Sequence, residues 1–208
     1  MKINVISKVD NLNVTVVESN NCVEILIEEK DERKESKTLG SVAPGNIVTI
    51  GKRKYIVLGH GAETTALLDA NSIDNRVFDY YNGDYETSDI REYINDKYYT
   101  ELCAAVGKDN IIKHRVNLEA DDGTNKGKFC DDFVSLITTE NYRRYREYIP
   151  TLGKWWWTAT RVNANMKDYA RSVCYVNSNG VLSWSVSGCI CFGGVRPFCI
   201  LNSSVFVS

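Results

Sequence analysis

An α+β fold, with a twisted antiparallel sheet, two flanking helices and a preceding β-hairpin, is what this sequence predicts. Three observations carry that expectation. Short apolar runs with period-two alternation recur along the chain, turn residues separate them at close intervals, and only two segments show helical spacing of apolar positions. A chain of 208 residues, 43% hydrophobic and 25% charged, fits one principal domain with an appendage and can bury a substantial core.

The elements follow in order. Within residues 3–28, Val14 and Val16, then Val23, Ile25 and Ile27, alternate with polar neighbours, and Ser19-Asn20-Asn21 supplies turn chemistry between them, which predicts a β-hairpin. The run EEKDERKESK, residues 28–37, carries nine charged side chains in ten and has nothing to bury, so it reads as a solvated linker. The expected division is therefore an appendage over residues 1–38 and a main domain over 39–208. Ile47-Val48-Thr49-Ile50 and Lys54-Tyr55-Ile56-Val57-Leu58 form a second strand pair around Gly51-Lys52, and Thr65-Ala66-Leu67-Leu68 adds a strand. DYYNGD, residues 79–84, is a turn-rich loop.

Thr87 or Ser88 can cap a first helix whose apolar positions Ile90, Tyr93, Ile94, Tyr98 and Leu102 recur at helical spacing, with Gly107 as its stop. The polar stretch EADDGTNKGKFCDD, residues 119–132, reads as a loop, and Phe133–Ile137 as a buried strand. Thr138 or Thr139 can cap a second helix through Tyr142, Tyr145, Arg146 and Ile149, ended by Pro150. Beyond residue 155 only strands and turns are expected, arranged as an antiparallel meander with Asn177-Ser178-Asn179-Gly180, Ser187-Gly188 and Gly193-Gly194 as its turns. Three of the four tryptophans stand together at 155–157. In an extended chain Trp155 and Trp157 share one face while Trp156 takes the other, so the run anchors the sheet and at most one indole borders a contact surface.

A formal charge of −2 offers no general attraction to nucleic acid or anionic membrane, and no apolar run approaches the roughly 20 residues that span a bilayer. The amino terminus alternates where a signal peptide would be continuously apolar, so a cytoplasmic protein is expected. Seven cysteines without a C-x-x-C pair argue against a disulfide framework and a zinc ribbon; most are expected to be buried thiols. Asp121, Asp122, Asp131 and Asp132 lack EF-hand spacing and are read as a solvated loop. His60 and His114 sit apart with no nucleophile motif, so no catalytic residue, metal or cofactor is expected. Arg143, Arg144 and Arg146, with Lys113, His114 and Arg115, could attract an anion, although at helical spacing such a group usually forms a solvated face.

Gly45-x-Ile47-Val48, Tyr55-x-Val57-Leu58, Thr87-Ser88-x-Ile90-Arg91, the run Trp155–Thr160 and Gly194-Val195-Arg196-Pro197-Phe198 together resemble the DUF6273 family of phage and prophage proteins, from about residue 40 to the end. The resemblance implies a C-type-lectin-like domain, related to that of formylglycine-generating enzymes, whose ligand face lies between the tryptophan motif and the GVRP segment. That interval, Arg161 to Gly193, is rich in side chains that contact partners well. The expected contact residues are Trp157, Arg161, Asn163, Tyr169, Arg171, Tyr175, Asn177, Asn179 and Trp184. Arg196 is expected to be a buried structural arginine paired with a carboxylate or with carbonyls. The related oxidases hold copper with two late cysteines, and Cys189-Ile190-Cys191 would place two thiols on one strand face, yet cysteine is used freely in this tail as an apolar filler. The expected function is non-catalytic recognition of a protein or a small anionic ligand by a protein of phage or prophage origin. The alternative is a counter-defence protein in the host cytoplasm that sequesters an anionic nucleotide-type signal or blocks a defence protein. Self-association is compatible with either.

Overall fold

The computed structural model describes residues 12–19, 22–29, 37–167, 171–186 and 192–208. The chain divides into two compact units, Met1–Ser36 and Lys37–Ser208. The first contains an antiparallel hairpin of β1 (Leu12–Ser19) and β2 (Cys22–Glu29), paired from Leu12 opposite Glu29 to Ser19 opposite Cys22. Val16 and Ile25 oppose one another in this ladder and are exposed. The predicted turn at Asn20-Asn21 and linker residues 30–36 lie outside the described residues.

The second unit begins with β3 (Lys37–Thr38), which pairs with a strand at the other end of the chain and so belongs to the body. Then come β4 (Ile47–Ile50), β5 (Arg53–His60), β6 (Thr64–Asp69) and β7 (Asp74–Arg76). Ile50 pairs with Arg53 around Gly51 at φ 58°, the left-handed geometry that the Gly-Lys turn predicts. His60, expected in a glycine turn, is the last residue of β5.

The Ser88 hydroxyl accepts from Arg91 N–H and starts α1 (Asp89–Tyr93). A π-turn over Ile94–Tyr98 leads into α2 (Tyr99–Val106), which stops at Gly107 with φ 80°. Ile90, Ile94, Tyr98 and Leu102, four residues apart, form its buried face. Two short strands follow, β8 (Ile111–Ile112) and β9 (His114–Asn117), and β10 (Phe129–Asp132), which pairs with β9, replaces the end of the stretch 119–132 that the sequence suggests is loop.

After β11 (Val134–Leu136), Thr138 caps α3 (Thr139–Arg144) by accepting from Asn141 N–H at 3.1 Å. This helix is shorter than expected. Tyr145 leaves helical geometry at φ −105°, ψ 13°, and a single 3₁₀ turn follows at Arg146–Tyr148, with the Arg146 guanidinium donating to Ile149 O at 2.9 Å. The remaining strands are β12 (Trp156–Arg161), β13 (Ser172–Val176), β14 (Leu182–Val186), β15 (Gly193–Val195), β16 (Pro197–Asn202) and β17 (Phe206–Val207), the last being the partner of β3.

Two sheets organise the unit. One runs β11-β16-β6-β5-β4, with β8 also on β16; the other runs β14-β13-β12-β15-β7. The expected meander is realised by β12, β13 and β14 and ends there. β15 instead lies parallel to β12, with Trp156 opposite Gly194, and the chain then changes sheet at Arg196. Pro197 follows as the first residue of β16, a position where a missing N–H is tolerated.

Alternation sorts the core into two clusters. Tyr55, Val57, Leu67, Trp157 and Val173 join the helix residues Ile90, Ile94 and Leu102 in the larger one. Ile56, Leu58, Leu68, Trp156 and Val176 join Ile137, Tyr142 and Ile149 in the other. Strands β5, β6, β12 and β13 therefore bury side chains of both orientations. Among the described residues no helix is long and apolar enough to cross a membrane.

Gly193 shows how tight this packing is. A Cβ there would lie 2.5 Å from ring atoms of both Trp155 and Trp157, rigid groups with little room to yield. Gly193→Ala is expected to destabilise the fold by about 1–3 kcal/mol, the usual range for overpacking. Urea unfolding checks this, and an unchanged midpoint would contradict it.

Candidate functional site

β12 places the tryptophans as an extended run must. The Trp157 indole is fully buried, donates to Arg76 O at 2.9 Å and meets Phe78 edge-on at 5.6 Å. It was expected at the contact surface and belongs to the core instead, because the segment after β7 covers it. Trp155 shares its face, 4.8 Å away centroid to centroid, and is only half-buried. The Tyr175 ring stands 4.9 Å from Trp155, so the two form a tilted aromatic pair at the boundary between core and solvent.

The face carrying this pair continues across the meander. Tyr175 pairs with Ser183 and Val173 with Ser185, which brings both serines to the same side. Arg171, just before β13, has the parity of Tyr175, is half-buried and donates to Tyr80 O at 3.1 Å. Arg161 closes the end of β12, half-buried with its guanidinium 3.8 Å from Asp84. Asp84 also binds Lys128 at 2.7 Å, and Lys128 reaches Glu86 at 3.0 Å.

Loop 79–84 borders this face and is held by its own carboxylate. Buried Asp79 accepts from Tyr81 N–H and Asn82 N–H, both at 2.6 Å, while Asp89 accepts from Tyr80 N–H at 3.2 Å. The rings so presented are exposed, Tyr80 at 61% and Tyr81 at 82%. Sequence reasoning passed over these two and Trp155. The available signals were the shared parity of Trp155 with Trp157 and the paired tyrosines inside an Asp/Asn/Gly turn.

The other expected contact residues do not converge on this face. Trp184, 52% exposed on edge strand β14, pairs with Cys174 and points to the opposite side. Asn177 builds the β13–β14 turn, its Oδ1 accepting from Asn179 N–H at 2.9 Å and Val181 N–H at 3.0 Å; Asn179 is exposed at that turn. Asn163 is buried. Its Oδ1 accepts from Asn165 N–H at 2.7 Å and Met166 N–H at 2.6 Å, and its amide donates to Asp122. It is a loop-building residue, since a short amide side chain bonds its own following backbone. Tyr169, Cys189 and Cys191 lie outside the described residues.

Several charged groups elsewhere are matched locally. Asp132 receives Arg91 at 2.7 Å and 3.0 Å, and Asp121 receives Arg143 at 2.8 Å and the Thr139 hydroxyl at 2.9 Å. Asp122 accepts from the Thr124 hydroxyl at 2.7 Å, the first of several bonds that lower its pKa. Arg144 pairs with Glu140, Arg115 with Asp131, and Arg146 lies over the Tyr142 ring. The cationic group is thus divided among separate partners, and among the described residues no set of three or more His, Cys, Asp or Glu could hold a metal ion.

Arg196 is enclosed, as expected of a structural arginine paired with carbonyls. It donates to Asp69 O at 2.8 Å and Ala70 O at 3.3 Å and lies over the Trp156 ring at 5.0 Å; burial lowers its pKa to about 10. Burial also pushes the Cys130 and Cys174 thiols up to about 12. His60 Nδ1 lies 2.9 Å from Thr65 Oγ1 and its Nε2 2.9 Å from Val42 O. His114 Nε2 lies 3.0 Å from Ser135 Oγ.

Comparison with protein-family models, curated proteins and solved structures gives no match.

The pKa of His114 is lowered first by burial, so the folded state resists its protonation. As pH falls through the ordinary value of 6.5, the unfolded chain takes up a proton that the folded chain declines, and this share of stability is lost. Replacing His114 by glutamine should flatten the loss of unfolding free energy on acidification below neutral pH. Urea titrations of both proteins at several pH values check this; identical slopes would contradict it.

Proposed function

We propose that this is a non-catalytic recognition protein that engages a macromolecular partner through the Trp155–Tyr175 face of its second sheet. The observation that carries this reading is the half-buried aromatic pair, flanked by Arg171, by Ser183 and Ser185, and by the rigid loop that exposes Tyr80 and Tyr81. Tyr and Trp provide large, stiff contact area at low entropic loss, Arg is enriched at interface centres, and serines adapt their hydrogen bonds. A hydrolytic reading has less support. Both ring nitrogens of His60 have near neighbours, His114 is paired with a serine inside the fold, and Cys130, Cys174 and Cys199 are buried with raised pKa values, which disfavours the thiolate.

The reading includes a C-type-lectin-like body, phage or prophage origin and work in the cytoplasm. The first two rest on the tryptophan and GVRP motifs that resemble the DUF6273 family. The third is supported by the free thiols of Cys103, Cys130, Cys174 and Cys199, which suit a reducing compartment. The anionic-signal alternative has less support, because Arg143 and Arg144 are matched by carboxylates and Arg146 lies over an aromatic ring.

The test compares retention of bacterial lysate proteins by the wild type and two variants, quantified by mass spectrometry. Tyr175→Ala should lower capture of the specific partner by about tenfold or more, the effect of removing an interface anchor, with unfolding temperature little changed. Trp184→Ala, on the other side of the sheet, should leave capture intact. Equal capture by wild type and Tyr175→Ala would contradict the assignment of this face.

A further inference from the structure

We propose that the groove between the β4–β5 turn and α2 binds a small amphiphile with a single anionic head, of the medium-chain carboxylate type. The groove holds about 600 Å³, within the range of sites for small organic ligands. It shares no lining residue with the aromatic face and does not rest on the recognition reading.

Its walls are apolar where they would ordinarily be polar. Ile50 forms one side and Leu102 the other, and α2 turns Ala104 and Ala105 outward to solvent without a charged side chain to cover them. The helix and the turn meet at one end, where a Cβ on Gly51 would lie 3.0 Å from Ala105 Cβ. Past that point Ile50 and Ala105 also line a second cleft, of about 270 Å³, that reaches exposed Phe206. An alkyl chain laid along the groove would cover the exposed apolar surface of Ala104, Ala105 and Phe206.

The floor sets the direction of the ligand. Tyr55 lines it, but its hydroxyl is turned inward, 2.9 Å from that of Tyr98, which also lies 3.3 Å from Asp69 Oδ2. These buried polar atoms already have partners, so the floor offers nothing to a polar head. Polar recognition therefore falls to the mouth, where Lys52 and Arg53 face Glu101. Arg53 bonds Glu101 at 2.6 Å and lies 3.7 Å from the buried Asp69 carboxylate, and the first of these bonds is the first cause that keeps the Glu101 carboxylate below its usual range. With that pair matched, exposed Lys52 remains, and it forms no ion pair among the described residues. The mouth thus presents one exposed cation, Lys52, beside an apolar groove, which favours a carboxylate head, is neutral to an alcohol and repels an ammonium.

Calorimetry of the full chain with decanoate, decanol and decylamine, each below its micelle concentration, tests this. Decanoate should bind saturably and about tenfold more tightly than decylamine, the size expected of an exposed charge preference. Ala104→Phe, which fills the groove from an exposed helix position, should abolish decanoate binding, and Lys52→Glu should reverse the order of decanoate and decylamine. Lys52 lies in an exposed turn, so that variant decides the matter even if Ala104→Phe fails to fold. No saturable decanoate binding in the millimolar range, equal affinity for decanoate and decylamine, or unchanged order in Lys52→Glu would overturn the proposal.

Discussion

A fully buried guanidinium holds this fold together. Arg196 stands where the chain leaves the second sheet and enters the first, and it has no solvent contact. An unmatched charge in such a place would be strongly unfavourable. Here the carbonyls of Asp69 and Ala70, at the end of β6, accept from its Nε and Nη2, Nη1 has no hydrogen-bond partner, and the Trp156 ring lies against it. The Asp69 carboxylate adds an opposite charge inside the same region, with its own pKa raised by burial. Even lowered to about 10, the Arg196 pKa leaves the side chain charged at neutral pH.

From this contact the orientation of the tryptophan run follows. Once Trp156 lies against Arg196, strand alternation sends Trp155 and Trp157 to the other face. Trp157 is then sealed by Phe78 and by its bond to Arg76 O, while Trp155, at the entry to the strand, stays at the margin beside Tyr175. The close approach of β15, which Gly193 and Gly194 allow, completes the support. The proposed contact face is thus preset by the core beneath it, and preset side chains lose less entropy on binding.

The parts of this fold that local chemistry determines were legible in the sequence. The Gly51-Lys52 turn, the Ser88 and Thr138 caps, the Gly107 stop and the buried series Ile90, Ile94, Tyr98, Leu102 are all set by residues within a few positions of one another. The alternation of Trp155, Trp156 and Trp157 was legible for the same reason. What depends on distant partners was not. β7 exists because β15 pairs with it, and β8 because β16 does, although neither segment has a strong strand pattern of its own. The change of sheet at Arg196 is likewise invisible locally. Asn163 and Asn177 carry the same residue type as good contact residues, yet both spend their side-chain oxygens on nearby backbone N–H groups. Composition alone does not separate those two uses of asparagine.

The most direct measurement of this account is residue-resolved native-state hydrogen exchange on wild type and Arg196→Met, a replacement that keeps apolar volume but removes the guanidinium. Two amides report on the sheet joint: Gly194 N–H, which donates to Trp155 O, and Ile73 N–H, which donates to Val195 O. If Arg196 couples the sheets, these amides and those of β6 and β12 lose protection together and by a similar factor. Loss confined to residues 195–197, with β6 and β12 as protected as in the wild type, would contradict it.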